Sequence, residues 1–138
     1  MLQHESARHH PNIVNILAVS WQQFTTAVSS CDIYPILVME LACPQYPTLG
    51  DLVKSDSITL SLPVKLSLLR DVFEAISMIH DLGVVHGDLK PDNVLIFRAT
   101  DGKLTAKISD FGFSLRQTQT REGATLRLVQ STGTLLNA

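Results

Sequence analysis

The sequence predicts an α+β fold, on three observations: two short apolar runs of β character near the amino end, one long amphipathic helix in the middle, and a tight hairpin bounded by polar motifs toward the carboxyl end. Its 138 residues, 45% hydrophobic and 17% charged, supply apolar material for one core. A formal net charge of −2 gives no clustered Lys/Arg footprint, so neither nucleic acid nor an anionic membrane is expected as a partner. Cys31 and Cys43 stand outside any CxxC pair, which argues against a zinc knuckle or a disulfide scaffold and for a reducing, intracellular compartment, cytoplasmic or nuclear. The start, MLQHESARHHPN, lacks the apolar run of a signal peptide. The apolar stretch Ile33 to Cys43 is broken by Pro35 and Glu40 and is too short to span a bilayer, so a soluble chain is expected.

The first apolar runs, Ile13 to Trp21 and Ile36 to Ala42, are bounded by Pro, Asn, Ser and Asp and read as buried strands joined by a polar, turn-rich link over 22–35. Pro44, Pro47 and Gly50 then predict a loop, with a short helix over Leu49 to Lys54. Ser61 is a good N-cap residue, and Pro63 suits the first turn, where a missing amide hydrogen costs little. The long helix that follows places Leu68, Leu69, Val72, Phe73, Ile76 and Ile79 on one predicted apolar stripe, and Gly83 fits a left-handed C-terminal cap. Val94 to Phe97 and Leu104 to Ile108 predict a hairpin turning at Asp101-Gly102. Beyond Leu115 the polar, Gly/Thr-rich sequence predicts a long mobile loop.

Chemistry concentrates at the two ends of that hairpin. His86-Gly87-Asp88-Leu89-Lys90-Pro91-Asp92-Asn93 precedes it, and Asp110-Phe111-Gly112 follows it, so the topology brings both motifs to one edge. Two carboxylates and an amide oxygen suit Mg²⁺, a hard cation often shared with substrate phosphates. A lysine beside them can neutralise charge on a transferring phosphoryl group. Other candidates are weaker. His4, His9 and His10 lack accompanying carboxylates or cysteines and read as a solvated helix end, as does His80. Trp21 reads as core, and Ser114, Thr118, Thr120 and Thr125 as ordinary loop residues that could accept phosphate.

HGDLKPDNVLIF resembles the catalytic loop and following strand of eukaryotic-type protein kinases, and KISDFG resembles the strand entering their metal-binding motif. HPNIV (His10 to Val14) is similar to the entry to the strand after the regulatory helix, and ILVMELA (Ile36 to Ala42) to the strand running into the hinge. The resemblance implies a partial protein-kinase-like fold with an incomplete large lobe. Residues 1–39 would be a remnant of the small lobe, 40–46 the hinge, 47–115 the start of the large lobe, and 116–138 the activation segment. It implies Asp88 as catalytic base, Lys90 on the γ-phosphate, and Asn93 and Asp110 as magnesium ligands. Met39 would be the gatekeeper, Glu40 and Ala42 would present backbone groups to adenine, and Leu95 would lie beneath the ring. His86, Phe111 and Ile16 would join an apolar spine, and Gly133-Thr134 would resemble the end of the activation segment, with Thr134 bonding to Asp88 and Lys90.

The lysine two residues after the catalytic Asp implies a Ser/Thr kinase, with ATP and Mg²⁺ as cofactors and a protein Ser or Thr hydroxyl as acceptor. The sequence departs from the family pattern in four ways. Gly87 stands where most members carry Arg, no GxG occurs, no Lys precedes Lys54, and Glu5 lies too close to His10 to be the regulatory-helix Glu. The chain also stops near where an Ala-Pro-Glu motif would begin. These departures predict a fragment impaired in phosphoryl transfer, with a protein partner covering its exposed core. The alternative expectation is a non-catalytic, pseudokinase-like interaction module.

Overall fold

The computed structural model describes residues 10–25, 31–55 and 58–116. His4, Glu5, His9, Thr118, Thr120, Thr125 and Gly133-Thr134, and with them nearly all of the expected activation segment, lie outside the described residues.

The order of elements is β1 (Ile16–Thr25), β2 (Cys31–Met39), α1 (Leu49–Lys54), α2 (Leu62–Asp81), β3 (Val84–Val85), a 3-10 turn (Pro91–Asn93), β4 (Val94–Arg98), β5 (Leu104–Ile108) and β6 (Leu115–Arg116). The strands form three two-stranded antiparallel sheets: β1 with β2, β3 with β6, and β4 with β5. This is an α+β arrangement, as the sequence predicts.

The centre of the fold is the β4–β5 hairpin, and its outer edges are also satisfied. Ile96 and Ala106 face each other across it as a pair whose backbone groups point outward. On the β4 side, the Ile96 amide donates to the Pro47 carbonyl at 3.0 Å and the Ile96 carbonyl accepts from the Cys43 amide at 2.7 Å. On the β5 side, the Ala106 amide donates to Asp71 Oδ2 at 3.0 Å, and its carbonyl accepts from Asn12 Nδ2 at 3.1 Å. Farther along β5, Ile108 bridges in parallel to Ile13. Ile13 and Val14 are therefore docked against β5 instead of forming the start of β1.

Helix α2 lies against β5 and divides the core into two linked clusters. One gathers Cys43, Tyr46, Leu52, Leu68, Val94, Ile96 and Ala106; the other gathers Ile13, Ala75, Ile79, Val84 and Ile108. Val72 packs against both. The short helix α1 matches its expected bounds. Its N-cap Thr48 accepts from the Asp51 amide at 3.0 Å, while Asp51 Oδ2 accepts from the Thr48 amide at 3.2 Å, a reciprocal capping box.

Three expectations are corrected. First, β1 and β2 run to Thr25 and from Cys31, so most of the link expected over 22–35 is strand: Gln22 pairs with Tyr34 and Trp21 with Pro35. Polar Gln does not interrupt a ladder whose faces are wet, and Pro35 is tolerated because each strand of a two-stranded sheet is an edge. Second, these strands are not buried. Consecutive residues such as Leu37, Val38 and Met39 are each exposed, so both faces of the sheet are open.

Third, the apolar stripe of α2 is rotated. Leu68, Asp71, Ala75 and Ile79 are buried, whereas Leu69 and Phe73 are 52% and 69% exposed. With Leu62 and Leu66 they form a second apolar stripe at helical spacing on the open face. Ser61 occupies the N-cap position with Pro63 in the first turn, but its side chain makes no capping bond. Gly83 adopts the expected left-handed conformation, with φ 67°. None of the helices among the described residues is long and apolar enough to cross a membrane.

Candidate functional site

The chain leaves α2 through Gly83 into β3, and the next residues fold back over the end of the β4–β5 hairpin. His86 is buried, and its Nε2 lies 2.9 Å from the Ser109 carbonyl. A carbonyl oxygen only accepts, so Nε2 carries the proton. That leaves Nδ1 as the acceptor facing the Asp88 amide, at 3.4 Å. The imidazole also meets the Phe111 ring, with centroids 4.9 Å apart and planes inclined by 54°. The structure thus brings His86 and Phe111 together. Ile16, the third residue expected in that apolar spine, is 44% exposed in β1.

Asp88, Lys90 and Asn93 form one hydrogen-bonded cluster. Lys90 Nζ lies 2.8 Å from Asp88 Oδ2. Asn93 Nδ2 donates to the Asp88 carbonyl at 2.8 Å and to Asp88 Oδ2 at 3.0 Å. Both of these side-chain bonds to Asp88 fall on Oδ2 and leave Oδ1 without a side-chain partner among the described residues. The hydrogen bond from Lys90 is the main reason the Asp88 carboxyl is held below its ordinary value, and the same bond raises Lys90. Asp92 and Asp110 add smaller upward contributions to Lys90 through their negative charge.

Ser109 ties this cluster to the second motif. Its amide and Oγ both donate to the Asn93 carbonyl, at 2.9 and 3.0 Å. The next residue, Asp110, has φ 56°, a left-handed conformation that few residues other than glycine tolerate and that Asp adopts more readily than most. Its Oδ1 accepts from the Gly112 amide at 3.2 Å. The turn is closed by Ser114, whose amide and Oγ donate to the Phe111 carbonyl. Two carboxylates and one amide are the oxygen donors collected here. Among the described residues no group of three or more His, Cys, Asp and Glu side chains is placed to hold a metal ion. The donor set suits a hard cation held partly by phosphate and water, and not a closed structural site.

The candidate adenine-contacting residues are more dispersed. Met39 ends β2 and is 45% exposed. Glu40 is engaged on several sides. Its amide donates to the Asn15 carbonyl at 3.2 Å, and its carboxylate accepts from the Asn15 amide at 2.7 Å. Both carboxylate oxygens are 2.7 Å from Lys107 Nζ. Lys107 pairs with Leu95 across the β4–β5 ladder, which sets Leu95 beside the Glu40 contact. Ala42 is half-buried and lines an open groove of about 390 Å³ between residues 41–45 and 97–100. That groove contains neither Asp88 nor Asp110, so the hydrogen-bonded cluster, and not the groove, marks the candidate chemistry.

Sequence reasoning missed the β3–β6 pairing and the contacts of Glu40 with Asn15 and Lys107. The first involves only two residues on each strand. For the second, the one sequence signal is a Lys three residues ahead of Asp110 and a Glu directly after Met39.

The protein kinase domain model matches residues 1–135. CBL-interacting protein kinase 21 of Oryza sativa subsp. japonica is 35% identical over 117 residues, covering 83% of this chain and 19% of the relative. The probable serine/threonine-protein kinase fhkD of Dictyostelium discoideum is 35% identical over 108 residues, 76% of this chain and 13% of the relative. The serine/threonine-protein kinase/endoribonuclease IRE1b of Arabidopsis thaliana is 50% identical over a shorter stretch of 54 residues, 39% of this chain and 6% of the relative. The chain thus spans less than a fifth of the length of each of these three relatives.

Proposed function

From the premise that the chain belongs to the protein kinase family, we propose that it is a serine/threonine kinase domain segment that binds ATP with Mg²⁺ and carries the acceptor side of phosphoryl transfer to a protein Ser or Thr hydroxyl. The observation that carries this reading is the Asp88–Lys90–Asn93 cluster, tied through Ser109 to Asp110. Asp88 Oδ1 takes the proton of the acceptor hydroxyl as the hydroxyl oxygen bonds to the γ-phosphorus of ATP, and the bond from that phosphorus to the bridging oxygen breaks to release ADP. The Lys90 hydrogen bond holds the Asp88 carboxyl below its ordinary value, so the group is in its ionised, proton-accepting form at neutral pH. Lys90 balances charge on the transferring group. Asn93 and Asp110 would hold Mg²⁺, which when bound neutralises the phosphate oxygens. Met39, Glu40, Ala42 and Leu95 are proposed as the adenine side of the site, with residues 40–46 as a hinge between 1–39 and 47–115, and 116–138 as the activation segment.

Within these residues neither a GxG loop nor a Lys ahead of Lys54 is present, so this segment itself supplies no group of that kind to grip the ATP phosphates. The test is Mg²⁺-dependent incorporation of labelled phosphate into a protein substrate by the full chain and by Asp88→Ala. Incorporation that disappears in the variant supports the reading, and equal incorporation by both overturns it.

A second reading, a non-catalytic interaction module, is favoured by one specific feature, the exposed apolar stripe Leu62, Leu66, Leu69 and Phe73 of α2. Nucleotide binding without phosphate transfer, together with protein binding lost in Phe73→Glu, is the outcome that selects it.

A further inference from the structure

Residues 40–43 are held at both ends by the same two-stranded ladder, β4–β5. At Glu40 the tie is made by side chains: Lys107 of β5 sets its Nζ 2.7 Å from each carboxylate oxygen. At Cys43 the tie is backbone, its amide donating to the Ile96 carbonyl of β4 at 2.7 Å. Only Leu41 and Ala42 lie between the two ties, and Leu41 is 85% exposed. The ion pair therefore fixes one end of a short span whose other end is already fixed.

Lys107 stands directly opposite Leu95 in the ladder, so the two side chains rise from one face of it. Phe97, two residues along β4, shares that face, and the Lys107 ammonium lies 4.6 Å from its ring centre. The opposite face, with Val94, Ile96, Ala106 and Ile108, is in the core. Lys107 thus starts beside the residue proposed to lie beneath the adenine ring and ends on one proposed to meet the ring's edge. The Glu40 carboxylate is committed to the protein, to Lys107 and to the Asn15 amide. The reach of the Glu40 backbone over Leu95 follows from where that carboxylate is held.

We infer that Lys107 is a positioning residue for the nucleobase: by gripping both carboxylate oxygens of Glu40 it sets residues 40–42 at the height over Leu95 at which they meet the edge of adenine. This deepens the proposed function, because it rests on Glu40, Ala42 and Leu95 forming the adenine side of the site.

The experiment titrates the full chain with adenosine and, separately, with inosine, which carries a carbonyl where adenosine carries its amino group. Binding is followed at the amide signals of Leu41, Ala42 and Leu95 in the parent, in Lys107→Met, in Glu40→Gln and in the double variant. Lys107→Met keeps the apolar stem over Phe97 and removes the charge. It is expected to weaken adenosine binding by about 3- to 10-fold, the scale of one hydrogen bond, and to leave inosine within about twofold. Glu40→Gln should show the same selective loss. In the Glu40→Gln chain Lys107→Met should change adenosine affinity by less than about twofold, because the two side chains act as one unit.

A Lys107→Met chain that binds adenosine as the parent does overturns the role of Lys107 and leaves the proposed function standing. Equal weakening of adenosine and inosine also overturns it, since that is what a general loosening of the fold would do. So does an undiminished effect of Lys107→Met in the Glu40→Gln chain. A parent that shows no preference for adenosine over inosine at these amides sinks the proposed adenine side and this inference together. If Lys107→Met does not fold, Glu40→Gln decides: selective loss of adenosine supports the inference, and parental affinity for both nucleosides overturns it.

Discussion

Both outward backbone groups of Ala106 are met by side chains from distant parts of the chain, Asp71 on its amide and Asn12 on its carbonyl. All three residues are buried, so removing one partner leaves a backbone group in the core without a hydrogen bond. Asp71→Ala is expected to cost about 1–3 kcal/mol in denaturant unfolding, and a change within about 0.5 kcal/mol would remove Asp71 from the fold's supports. At Asp110 the opposite balance holds. Asn tolerates the left-handed conformation as Asp does, so Asp110→Asn should leave stability within about 0.5 kcal/mol while lowering Mn²⁺ affinity by about tenfold or more. A large stability loss would show that the carboxylate serves the fold.

The Asp88–Lys90 pair has a defined pH range. Asp88 is depressed below its ordinary 3.8, so its stabilising contribution is full above that value and is lost as pH falls through the folded one. Lys90 is raised above 10.5, so its contribution is full below that value and is lost as pH rises through the folded one. The pair therefore persists across the whole neutral range. Carbon NMR titration of Asp88 should give a midpoint below that of a free Asp and a higher one in Lys90→Met; an unchanged midpoint would show that the two side chains do not meet in solution.

At the scale of elements, α2 carries two apolar stripes that interleave in sequence: Leu68 is buried beside exposed Leu69, and half-buried Val72 lies beside exposed Phe73. Periodicity alone merges them into one face. What selects the inner stripe is a tertiary contact, Asp71 on β5, which no local pattern announces. Ile79→Ala should cost about 2–5 kcal/mol, as a fully buried side chain does, while Phe73→Gln should stay within about 0.5 kcal/mol. Equal losses would put the core on the wrong side of the helix. The bounds of α1, the cap at Gly83 and the hairpin turn were legible because each depends on residues within a few positions: Thr48 with Asp51, Gly after a helix, Asp101 before Gly102. The exposure of β1 and β2 was not, because an apolar β-branched run reads the same whether or not another element covers it. Likewise the motifs at 86–93 and 110–112 were legible as chemistry, but the bonds that hold them together were not, since they depend on Ser109 meeting Asn93 and His86 across the hairpin.

For the molecule as a whole, stability is unevenly distributed. The two buried clusters share Val72 and are bound to β4–β5 and α2, whereas β1–β2 forms a sheet of its own with both faces exposed. Its described polar ties to the body gather near one end, where Asn15 and Glu40 exchange bonds and Glu40 reaches Lys107. Lys107 is in turn held within the body, paired with Leu95 in the ladder, its ammonium 4.6 Å from the centre of the Phe97 ring. The Glu40–Lys107 pair is largely shielded, with side chains 24% and 18% exposed, so removing one partner costs more than it would in a surface ion pair. Opening of β1–β2 should then be a local event governed by this tie, separate from global unfolding. Lys107→Met keeps much of the apolar stem over Phe97 and removes the charge. It should speed amide exchange throughout β1–β2 while α2 and β4–β5 keep the protection of the parent chain. If exchange accelerates equally in all of them, the sheet and the body unfold as one unit, and Glu40–Lys107 is a support of the common core and not a tether between two parts of unequal stability.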